Sequence, residues 1–384
     1  MEINSIPGSL IEYLDQLSKR GVPENKYYKY INKYFELSAR EKGIPLHGSF
    51  ELTPLCNLDC KMCYVHLNND QFATNRLMGV EVWKKLIEEA YESGMRNASL
   101  TGGECLTYPA FNDVYLFLFE KGVRTGILTN GVLLNRDRIN FLLKYPPRNI
   151  QVTVYGSNDD AYEKVTGRRV FSIVKENILM ARDAGLPIKI AITPSRFMWE
   201  DMDAVLEAVD QLEVPYYINA FLSTPRENTG RKKEDLTVEQ YISVYKKKNS
   251  LKHIEELPAI DPVELPDVGH GANSHYGLKC GAARSSFIIK YDGSMSPCTA
   301  LGHITSKPLQ VGFKQAWKQI NDIANTYLLP AECEDCVYRS VCLKCASLHI
   351  DAPRKGHCNP LVCERTKKMI SAGVLPMPRD NRTD

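Results

Sequence analysis

Apolar runs of strand length alternate with helical stretches through the middle of the chain. The apolar runs lie at residues 49–55, 97–101, 124–129, 149–155, 187–193 and 215–221, and the helical stretches lie between them at 79–93, 110–121, 136–144, 172–184 and 201–212. Strands that alternate with helices of about 10–15 residues are typical of a parallel sheet. Six such units predict an α/β fold, a partial (β/α)6 barrel of the TIM type, because a complete barrel has eight.

Weaker patterns on either side divide the chain into four parts. Residues 1–46 predict two helices, at 9–20 and 26–42, and we expect this N-terminal helical extension to cap the barrel at 47–230. Residues 231–279 form a bridging segment with one predicted helix at 236–248. Residues 280–384 contain eight of the twelve cysteines, which predicts a cysteine-rich C-terminal domain.

Composition and charge exclude several classes of protein. Lys and Arg number 48 against 46 Asp and Glu, so the net charge of +2 produces no field that would attract nucleic acid or an acidic membrane. No apolar run approaches the roughly 18 residues that a membrane span needs, and the N-terminus lacks the basic and apolar regions of a secretory signal. We expect a cytoplasmic protein that binds neither nucleic acid nor membrane.

Three early cysteines give the first indication of chemistry. In a reducing cytosol disulfides are rare, and clustered cysteines indicate metal. Cys56, Cys60 and Cys63 follow the first predicted strand with the spacing C-x3-C-x2-C. Three thiolates this close can hold one face of an iron–sulfur cube and leave its fourth iron open. A zinc site and scattered thiols are the alternatives, but zinc prefers four ligands, and the nearest fourth candidate is His66.

Polar residues also follow the next predicted strands. Gly102, Gly103 and Glu104 come directly after the second strand, Asn130 ends the third and Thr153 lies at the end of the fourth. In parallel α/β sheets, ligands bind at the carboxyl ends of the strands. Two glycines allow a ligand to approach the backbone, and the Glu104 carboxylate can pair with an ammonium group. We therefore predict a ligand site at this edge, with Asn130 among its binding residues.

The cysteine spacing, together with Gly102-Gly103-Glu104, resembles the radical S-adenosylmethionine (radical SAM) superfamily over residues 49 to about 225. The resemblance implies that the three cysteines hold a [4Fe–4S] cluster whose fourth iron chelates S-adenosylmethionine. It further implies that Glu104 binds the methionine ammonium group of this cofactor. The other implied cofactor contacts are Gly102 and Gly103 along the methionine backbone, Met62 and Tyr64 around the last cysteine, Thr153 at the ribose and Ile192 at the adenine.

Two positions depart from the pattern of the superfamily. Thr166 stands where an arginine is frequent, and Arg168 or Arg169 is the candidate to replace that arginine. Cys105 follows the glutamate where proline is usual. Cys105 has three interpretations: a small buried residue, a hydrogen-atom donor to a product radical, which makes it a candidate catalytic residue, or a thiol prone to oxidation.

The late cysteines resemble the SPASM extension of radical SAM enzymes. Cys280 and Cys298 flank a predicted β-hairpin that turns at 291–294, and two CxxC pairs follow, which by themselves also suit a zinc ribbon. The resemblance implies two auxiliary [4Fe–4S] clusters. The implied ligands are Cys280, Cys298 and Cys345 for auxiliary cluster I, and Cys333, Cys336, Cys342 and Cys363 for auxiliary cluster II. The fourth site of cluster I is either bound by Cys358 or open for a substrate thiolate.

The resemblance implies a radical enzyme. One electron from the reduced cluster cleaves S-adenosylmethionine to methionine and a 5′-deoxyadenosyl radical, which abstracts hydrogen from a peptide or protein substrate. The implied result is a post-translational modification such as a cross-link, an epimer or an oxidation. The alternatives are a dehydrogenase of small molecules that uses the same cofactors, and a non-catalytic iron–sulfur or zinc protein.

The expected partners follow from this chemistry. The cluster needs an electron donor such as flavodoxin or ferredoxin. Many peptide maturases of this superfamily carry an N-terminal module, longer than residues 1–46, that binds the leader segment of the substrate. We therefore expect a separate leader-binding protein, or a substrate that is recognised without one.

Overall fold

The computed structural model of the chain describes residues 10–19, 27–65, 77–219, 235–247, 280–326, 330–333, 336–342 and 358–377, together with Gly21, Pro23, Leu67, Leu251 and His253. The strands are β1 (His47–Glu51), β2 (Asn97–Thr101), β3 (Arg124–Thr129), β4 (Asn149–Val154), β5 (Ile188–Ile192), β6 (Tyr216–Ile218), β7 (Ser286–Ile289) and β8 (Met295–Ser296).

The α-helices are α1 (Leu10–Lys19), α2 (Tyr27–Lys42), α3 (Val80–Glu92), α4 (Phe111–Glu120), α5 (Arg136–Lys144), α6 (Asp159–Thr166), α7 (Phe171–Asp183), α8 (Met202–Asp210), α9 (Val238–Lys247), α10 (Pro308–Val311), α11 (Phe313–Asn325) and α12 (Pro360–Ser371). Short 3-10 helices lie at Cys105–Thr107, Arg196–Asp201, Thr299–Leu301, Ala331–Cys333 and Val337–Ser340. The sequence patterns do not predict α6, α10, α11 or α12.

The first six strands form one parallel sheet in the order β6-β5-β4-β3-β2-β1. Strands that are consecutive in the chain are therefore neighbours in the sheet. At least one α-helix lies between each strand and the next from β1 to β6, as in a TIM-type barrel. Within the residues that the structure describes, the sheet does not close on itself, because β6 and β8 are its two edges. The predicted partial (β/α)6 barrel is confirmed.

The cysteine-rich region adds a hairpin to this sheet. β7 pairs in parallel with β1, with Phe287 opposite Gly48, and β8 pairs antiparallel with β7. The hairpin predicted around residues 291–294 is thereby confirmed. The Phe287 ring packs edge-on against Phe50 of β1 at 6.1 Å and against Phe313 of α11 at 5.0 Å. The sheet is therefore continuous across the domain boundary predicted at residue 280.

Side chains alternate between the two faces of the barrel strands. Phe50 and Leu100 are fully buried on the face toward the helices, where Phe50 meets Trp83 of α3 edge-on at 6.1 Å. On β4, the odd-numbered residues, which include Thr153, are half-buried and line the opposite, concave face. The strand ends consequently present polar side chains toward the inside of the barrel.

The first strand is shorter than predicted. β1 ends at Glu51, whereas the apolar run continues to Leu55. Beyond β1, the carbonyl of Thr53 accepts the N–H of Gly103 (2.7 Å), and the carbonyl of Leu55 accepts the N–H of Glu104 (2.9 Å). These carbonyls accept hydrogen bonds from the loop that follows β2. The second part of the apolar run is therefore not part of β1 and connects the strand to the cysteines.

The N-terminal residues form the predicted pair of helices. Tyr13 of α1 and Tyr34 of α2 pack with their ring centroids 5.3 Å apart and are both buried. Among the residues that the structure describes, no helix is both long enough and apolar enough to span a membrane.

Candidate functional site

The cysteine loop, residues 56–63, is held by main-chain hydrogen bonds to the end of α6. The N–H of Asp59 donates to the carbonyl of Thr166 (2.8 Å), and the N–H of Lys61 donates to the carbonyl of Val165 (3.0 Å). These two hydrogen bonds anchor the loop to the barrel.

The sulfur of Cys56 accepts two hydrogen bonds. One comes from the N–H of Leu58 (3.4 Å) and one from Nδ2 of Asn130 (3.5 Å). Burial raises the pKa of the Cys56 thiol to about 12, and the nearby Glu104 carboxylate adds to the shift. A thiolate at this position therefore needs a compensating positive charge, which a bound metal supplies.

The other two cysteines complete a sulfur-only set of donors. Cys60 is buried, and Cys63 is half-buried like Cys56. Within the described parts of the chain, no three His, Cys, Asp or Glu side chains converge closely enough to hold a single metal ion. An iron–sulfur cube requires a wider spacing, since each cysteine binds a different iron. The three thiols on their fixed loop fit such a cluster.

Gly102 and Gly103 pack directly on the backbone that leads into the cysteine loop. A Cβ at Gly102, whose φ is +150°, would lie 2.4 Å from the carbonyl oxygen of Thr53, and a Cβ at Gly103 would lie 2.4 Å from that of Leu55. The sequence analysis assigned these glycines to the close approach of a ligand. The structure gives them a further reason, because only glycine allows the two loops to touch.

Glu104 is a buried carboxylate with hydrogen bonds on both oxygens. Its side chain is 1% exposed. The N–H of Leu106 (3.0 Å) and Oγ1 of Thr129 (2.8 Å) donate to Oε1, and the N–H of Asn130 (2.7 Å) donates to Oε2. Burial nevertheless raises the pKa of Glu104. A bound cation would offset this cost of desolvation, so the site suits an ammonium group.

Asn130 contacts both parts of the site. Its main-chain N–H reaches Glu104, and its side-chain amide reaches Cys56 and Oδ1 of Asn57 (2.7 Å). The structure therefore brings together the predicted carboxylate, the first predicted cysteine and the predicted end of the third strand.

Tyr155 is a residue of this site that the sequence analysis missed. It follows β4, and its ring packs edge-on against Tyr162 of α6 at 5.9 Å. Burial raises the pKa of the Tyr155 hydroxyl, and the nearby Cys60 and Cys63 add to the shift. The tyrosine therefore lies beside the cysteine loop. Its place directly after a strand was the available signal, the same one that selected Glu104.

A cavity of about 390 Å³ opens beside Tyr155 and is also lined by Val165, Phe197 and Met198. A larger groove of about 760 Å³ lies between α6 and α7 and is lined by residues from Ser157 to Asp183. Of the residues considered for a cofactor contact, its lining includes Arg169, the candidate to replace the missing arginine. The smaller cavity adjoins the cysteine loop through Val165, so its position suits a ligand of this site better.

The remaining predicted cofactor contacts differ in their surroundings. Met62 is buried in the core, whereas Tyr64 is half-buried. Thr153 is half-buried on the concave face of the barrel. Ile192 is fully buried, and strand alternation places it on the face toward the helices, while Ala191 is the register partner of Thr153. The contacts with ribose and adenine stay predictions.

Cys105 has the surroundings of a core residue. It is fully buried, and its Sγ donates to the carbonyl of Leu128 (3.3 Å). Oε1 of Glu104 lies 3.8 Å from the same sulfur. The thiol therefore lies behind the carboxylate, and its catalytic role stays a prediction.

Arg169, a candidate to replace the missing arginine, lies on the surface. It pairs with Asp160 and Glu163 of α6 and is 55% exposed. Thr166, at the position of the missing arginine, is buried and donates to the carbonyl of Tyr162 (2.8 Å). In this arrangement the Arg169 guanidinium forms its ion pairs with side chains of α6.

Five late cysteines lie close enough to influence one another's pKa: Cys333, Cys336, Cys342, Cys358 and Cys363. The sulfurs of Cys358 and Cys363 are 2.8 Å apart. Both flank the N-terminus of α12, which explains why they meet. Cys358, the candidate fourth ligand of auxiliary cluster I, thus lies among the cysteines predicted for auxiliary cluster II, and its assignment to cluster I stays a prediction.

The cysteines predicted for auxiliary cluster I are only partly described. Cys280 is exposed and Cys298 is half-buried, on either side of the β7–β8 hairpin. Cys345 lies outside the described residues, as does His66.

Comparison with known proteins agrees with this site. Residues 50–209 match the profile of the radical SAM superfamily. The antilisterial bacteriocin subtilosin biosynthesis protein AlbA of Bacillus subtilis (strain 168) is 24% identical over 271 residues, which are 68% of this chain and 56% of AlbA. The sporulation killing factor maturation protein SkfB of the same strain is 21% identical over 267 residues, 68% of this chain and 63% of SkfB. The chain thus matches less than two-thirds of the length of either relative.

Among solved structures, SuiB of Streptococcus suis bound to S-adenosylmethionine shares the fold with a TM-score of 0.66, at 15% identity over 91% of this chain and 86% of SuiB. SuiB has also been solved with its precursor peptide SuiA. The fold, the cysteine loop after β1, the buried glutamate after β2 and the match to the superfamily profile together identify residues 50–209 as a radical SAM domain.

Proposed function

We propose that the protein is a radical SAM enzyme that modifies a peptide or protein substrate in the cytoplasm. The observation that carries the proposal is the hydrogen-bonded link from Glu104 through Asn130 to Cys56. It sets a carboxylate that suits an ammonium group beside a cysteine loop that fits an iron–sulfur cluster. S-adenosylmethionine matches these two neighbouring parts of the site, because its methionine end carries an ammonium group beside a carboxylate that can bind an open iron.

The residues of the chain bind and orient the reactants in this proposal. When bound, a reduced [4Fe–4S] cluster would supply the electron that cleaves S-adenosylmethionine to methionine and the 5′-deoxyadenosyl radical, and this radical would abstract hydrogen from the substrate. Cys56, Cys60 and Cys63 hold the cluster, and Glu104 binds the ammonium group. The donors to Glu104 keep its oxygens oriented.

The comparisons support a peptide substrate for this proposal. AlbA is named for bacteriocin biosynthesis and SkfB for the maturation of a killing factor, and SuiB binds a precursor peptide. A peptide is also the substrate that the SPASM-like cysteine pattern implies. An electron donor such as flavodoxin or ferredoxin, and a separate leader-binding protein, belong to the same proposal.

We further propose two auxiliary [4Fe–4S] clusters in the cysteine-rich region. Cys280, Cys298 and Cys345 are the proposed ligands of the first. For the second, the structure favours a set of Cys333, Cys336 and Cys342, completed by either Cys358 or Cys363. The sulfurs of this last pair are 2.8 Å apart, too close to bind different irons of one cube in this arrangement, so they compete for one corner.

Anaerobic reconstitution tests the proposal. The protein should then hold about twelve irons, four for each cluster, and should cleave S-adenosylmethionine when reduced. Incubation with peptides encoded nearby should change a peptide mass and, with a deuterated peptide, transfer deuterium into 5′-deoxyadenosine. Cleavage without any mass change in these peptides, but with deuterium transfer from a small molecule, would favour the dehydrogenase. A content of about four irons, with zinc bound to the late cysteines, would refute the two auxiliary clusters and leave the rest of the proposed function standing.

A further inference from the structure

Asn130 uses its main chain and its side chain on different halves of the site. The main-chain N–H donates to Oε2 of Glu104 at 2.7 Å. The side-chain Nδ2 donates to Sγ of Cys56 at 3.5 Å and to Oδ1 of Asn57 at 2.7 Å. An amide NH₂ has two hydrogens, so it can make both bonds at once. The side-chain Oδ1 accepts the N–H of Val132 at 3.0 Å, which closes a tight turn.

The surroundings fix the direction of this amide. Asn130 is 6% exposed, and the next two residues are held from α7, where Nδ2 of Asn177 donates to the carbonyls of Gly131 (2.9 Å) and Val132 (3.1 Å). Oγ1 of Thr129 accepts the N–H of Gly131 (3.1 Å). The amide is thus preorganised toward the sulfur, in a buried place where a hydrogen bond is electrostatically stronger than in water.

We propose that Asn130 is a positioning residue that raises the reduction potential of the cluster held by Cys56, through its hydrogen bond to the cysteine sulfur. The inference rests on the proposed function, since it needs the cluster there. Hydrogen bonds to ligand sulfurs are among the factors that set cluster potentials. Reduction adds one negative charge, part of which resides on the sulfurs, so a donor aimed at Sγ stabilises the reduced state more than the oxidised one. Leu58 supplies a similar donor from the main chain, which side-chain substitution leaves in place.

Two variants isolate this hydrogen bond. Asn130→Ala removes the amide and keeps the main-chain N–H for Glu104. Asn130→Asp keeps the shape and the acceptor for Val132, but replaces the donor with a negative oxygen facing the sulfur. Asn135→Ala is the matched control: it removes an asparagine from the same connection to α5, where its Oδ1 accepts only a capping N–H, from Arg138 at 3.0 Å.

The measurement is the midpoint potential of the reconstituted full-length protein, obtained by redox titration followed by EPR. The relevant signal is the one that changes on addition of S-adenosylmethionine, because in the proposed function this cofactor binds the cluster held by Cys56, Cys60 and Cys63. Asn130→Ala should lower the potential by about 59 mV, a tenfold change in a one-electron reduction equilibrium. Asn130→Asp should lower it further, and Asn135→Ala should leave it unchanged.

The outcomes separate this inference from the proposed function. Equal potentials in the wild-type protein and Asn130→Ala, with full iron content in both, would overturn the inference and leave the function standing. If Asn130→Ala does not retain its cluster, Asn130→Asp decides, and an unchanged or higher potential there overturns the inference. A wild-type protein whose EPR signals do not respond to S-adenosylmethionine overturns the proposed function itself.

Discussion

The early and the late cysteines are held by different means. Residues 56–63 form a loop whose main chain is bonded to α6, and the sulfur of Cys56 has its donors in place. By contrast, Cys333 and Cys336 lie at single turns of 3-10 helix, and Cys358 lies just before α12. In a site whose loop is fixed by the fold, each thiol has one position and cannot replace another. Thiols on short turns can replace one another as ligands, and their arrangement depends more on the bound metal.

The largest expected effect is the loss of S-adenosylmethionine cleavage when one early cysteine is replaced. Cys60→Ala removes a buried thiol from a loop that offers no substitute, so 5′-deoxyadenosine should fall to the level of a reaction without enzyme. Chromatography of the quenched reaction measures it. Ile173→Ala, on the exposed side of α7, is the control and should retain cleavage. Cleavage that survives in Cys60→Ala, Cys56→Ala and Cys63→Ala would show the assignment of this loop to be wrong.

The next effect concerns cofactor affinity. Glu104→Gln removes the charge that pairs with the ammonium group and places an amide among three donors, so S-adenosylmethionine should bind about 10- to 100-fold more weakly, as expected for a lost charged hydrogen bond. Equilibrium dialysis gives the dissociation constant.

Glu163→Gln is the matched control for this variant, because Glu163 is an exposed partner of Arg169 on α6. Its affinity for the cofactor should equal that of the wild-type protein. An unchanged affinity in Glu104→Gln would refute the carboxylate as the ammonium site.

A third prediction tests whether the early site is built without metal. Thr129→Val keeps the shape of the side chain and removes a donor from the buried Glu104, so the metal-free protein should lose about 1.5–3 kcal/mol of unfolding free energy. Thr125→Val, on the same strand, loses only a neutral bond to the carbonyl of Val123 and should lose about 1 kcal/mol or less. Urea denaturation compares them. Equal losses would mean that Glu104 is not held in this way before metal binds.

The smallest effects are expected at the late cysteines. Because the sulfurs of Cys358 and Cys363 lie 2.8 Å apart, each can replace the other, so Cys358→Ser and Cys363→Ser should each keep the iron content of the wild-type protein. The double variant should lose about four irons, one cluster. Cys342→Ser removes a proposed ligand that both arrangements of this cluster share, so this single variant should lose about four irons. Loss of a cluster in either single variant of the pair would contradict the exchange.

The barrel could be predicted closely because its signals are local. β2, β3 and α5 have the bounds that the apolar runs and periodicity gave, since each is a regular element between turn residues. α6 was missed because eight residues are too short for a clear period, although Asn158 at its start and Gly167, with φ of +70°, at its end are capping signals.

The site could be predicted only as a set of residue types. The cysteine spacing predicts Cys56 as a ligand, and the position directly after a strand selects Glu104. The contact between Asn130 and Cys56 joins residues 74 positions apart, and the pairing of Cys358 with Cys363 depends on where α12 begins. Both are consequences of tertiary packing, which no local pattern encodes. The contact of Gly102 and Gly103 with the backbone that follows β1 is equally invisible in the sequence, because it also depends on tertiary packing.

The pairing of β7 with β1 affects how the chain can be divided. A fragment that stopped before residue 280 would leave unpaired those main-chain groups of β1 that face β7, and would leave the Phe50 ring without its contact to Phe287. An exposed, flat strand edge is a template for pairing with other chains. We therefore expect the isolated barrel to self-associate through the strand that leads into the cysteine loop. In evolutionary terms, a relative that exchanged its C-terminal region would have to bring a replacement strand with it.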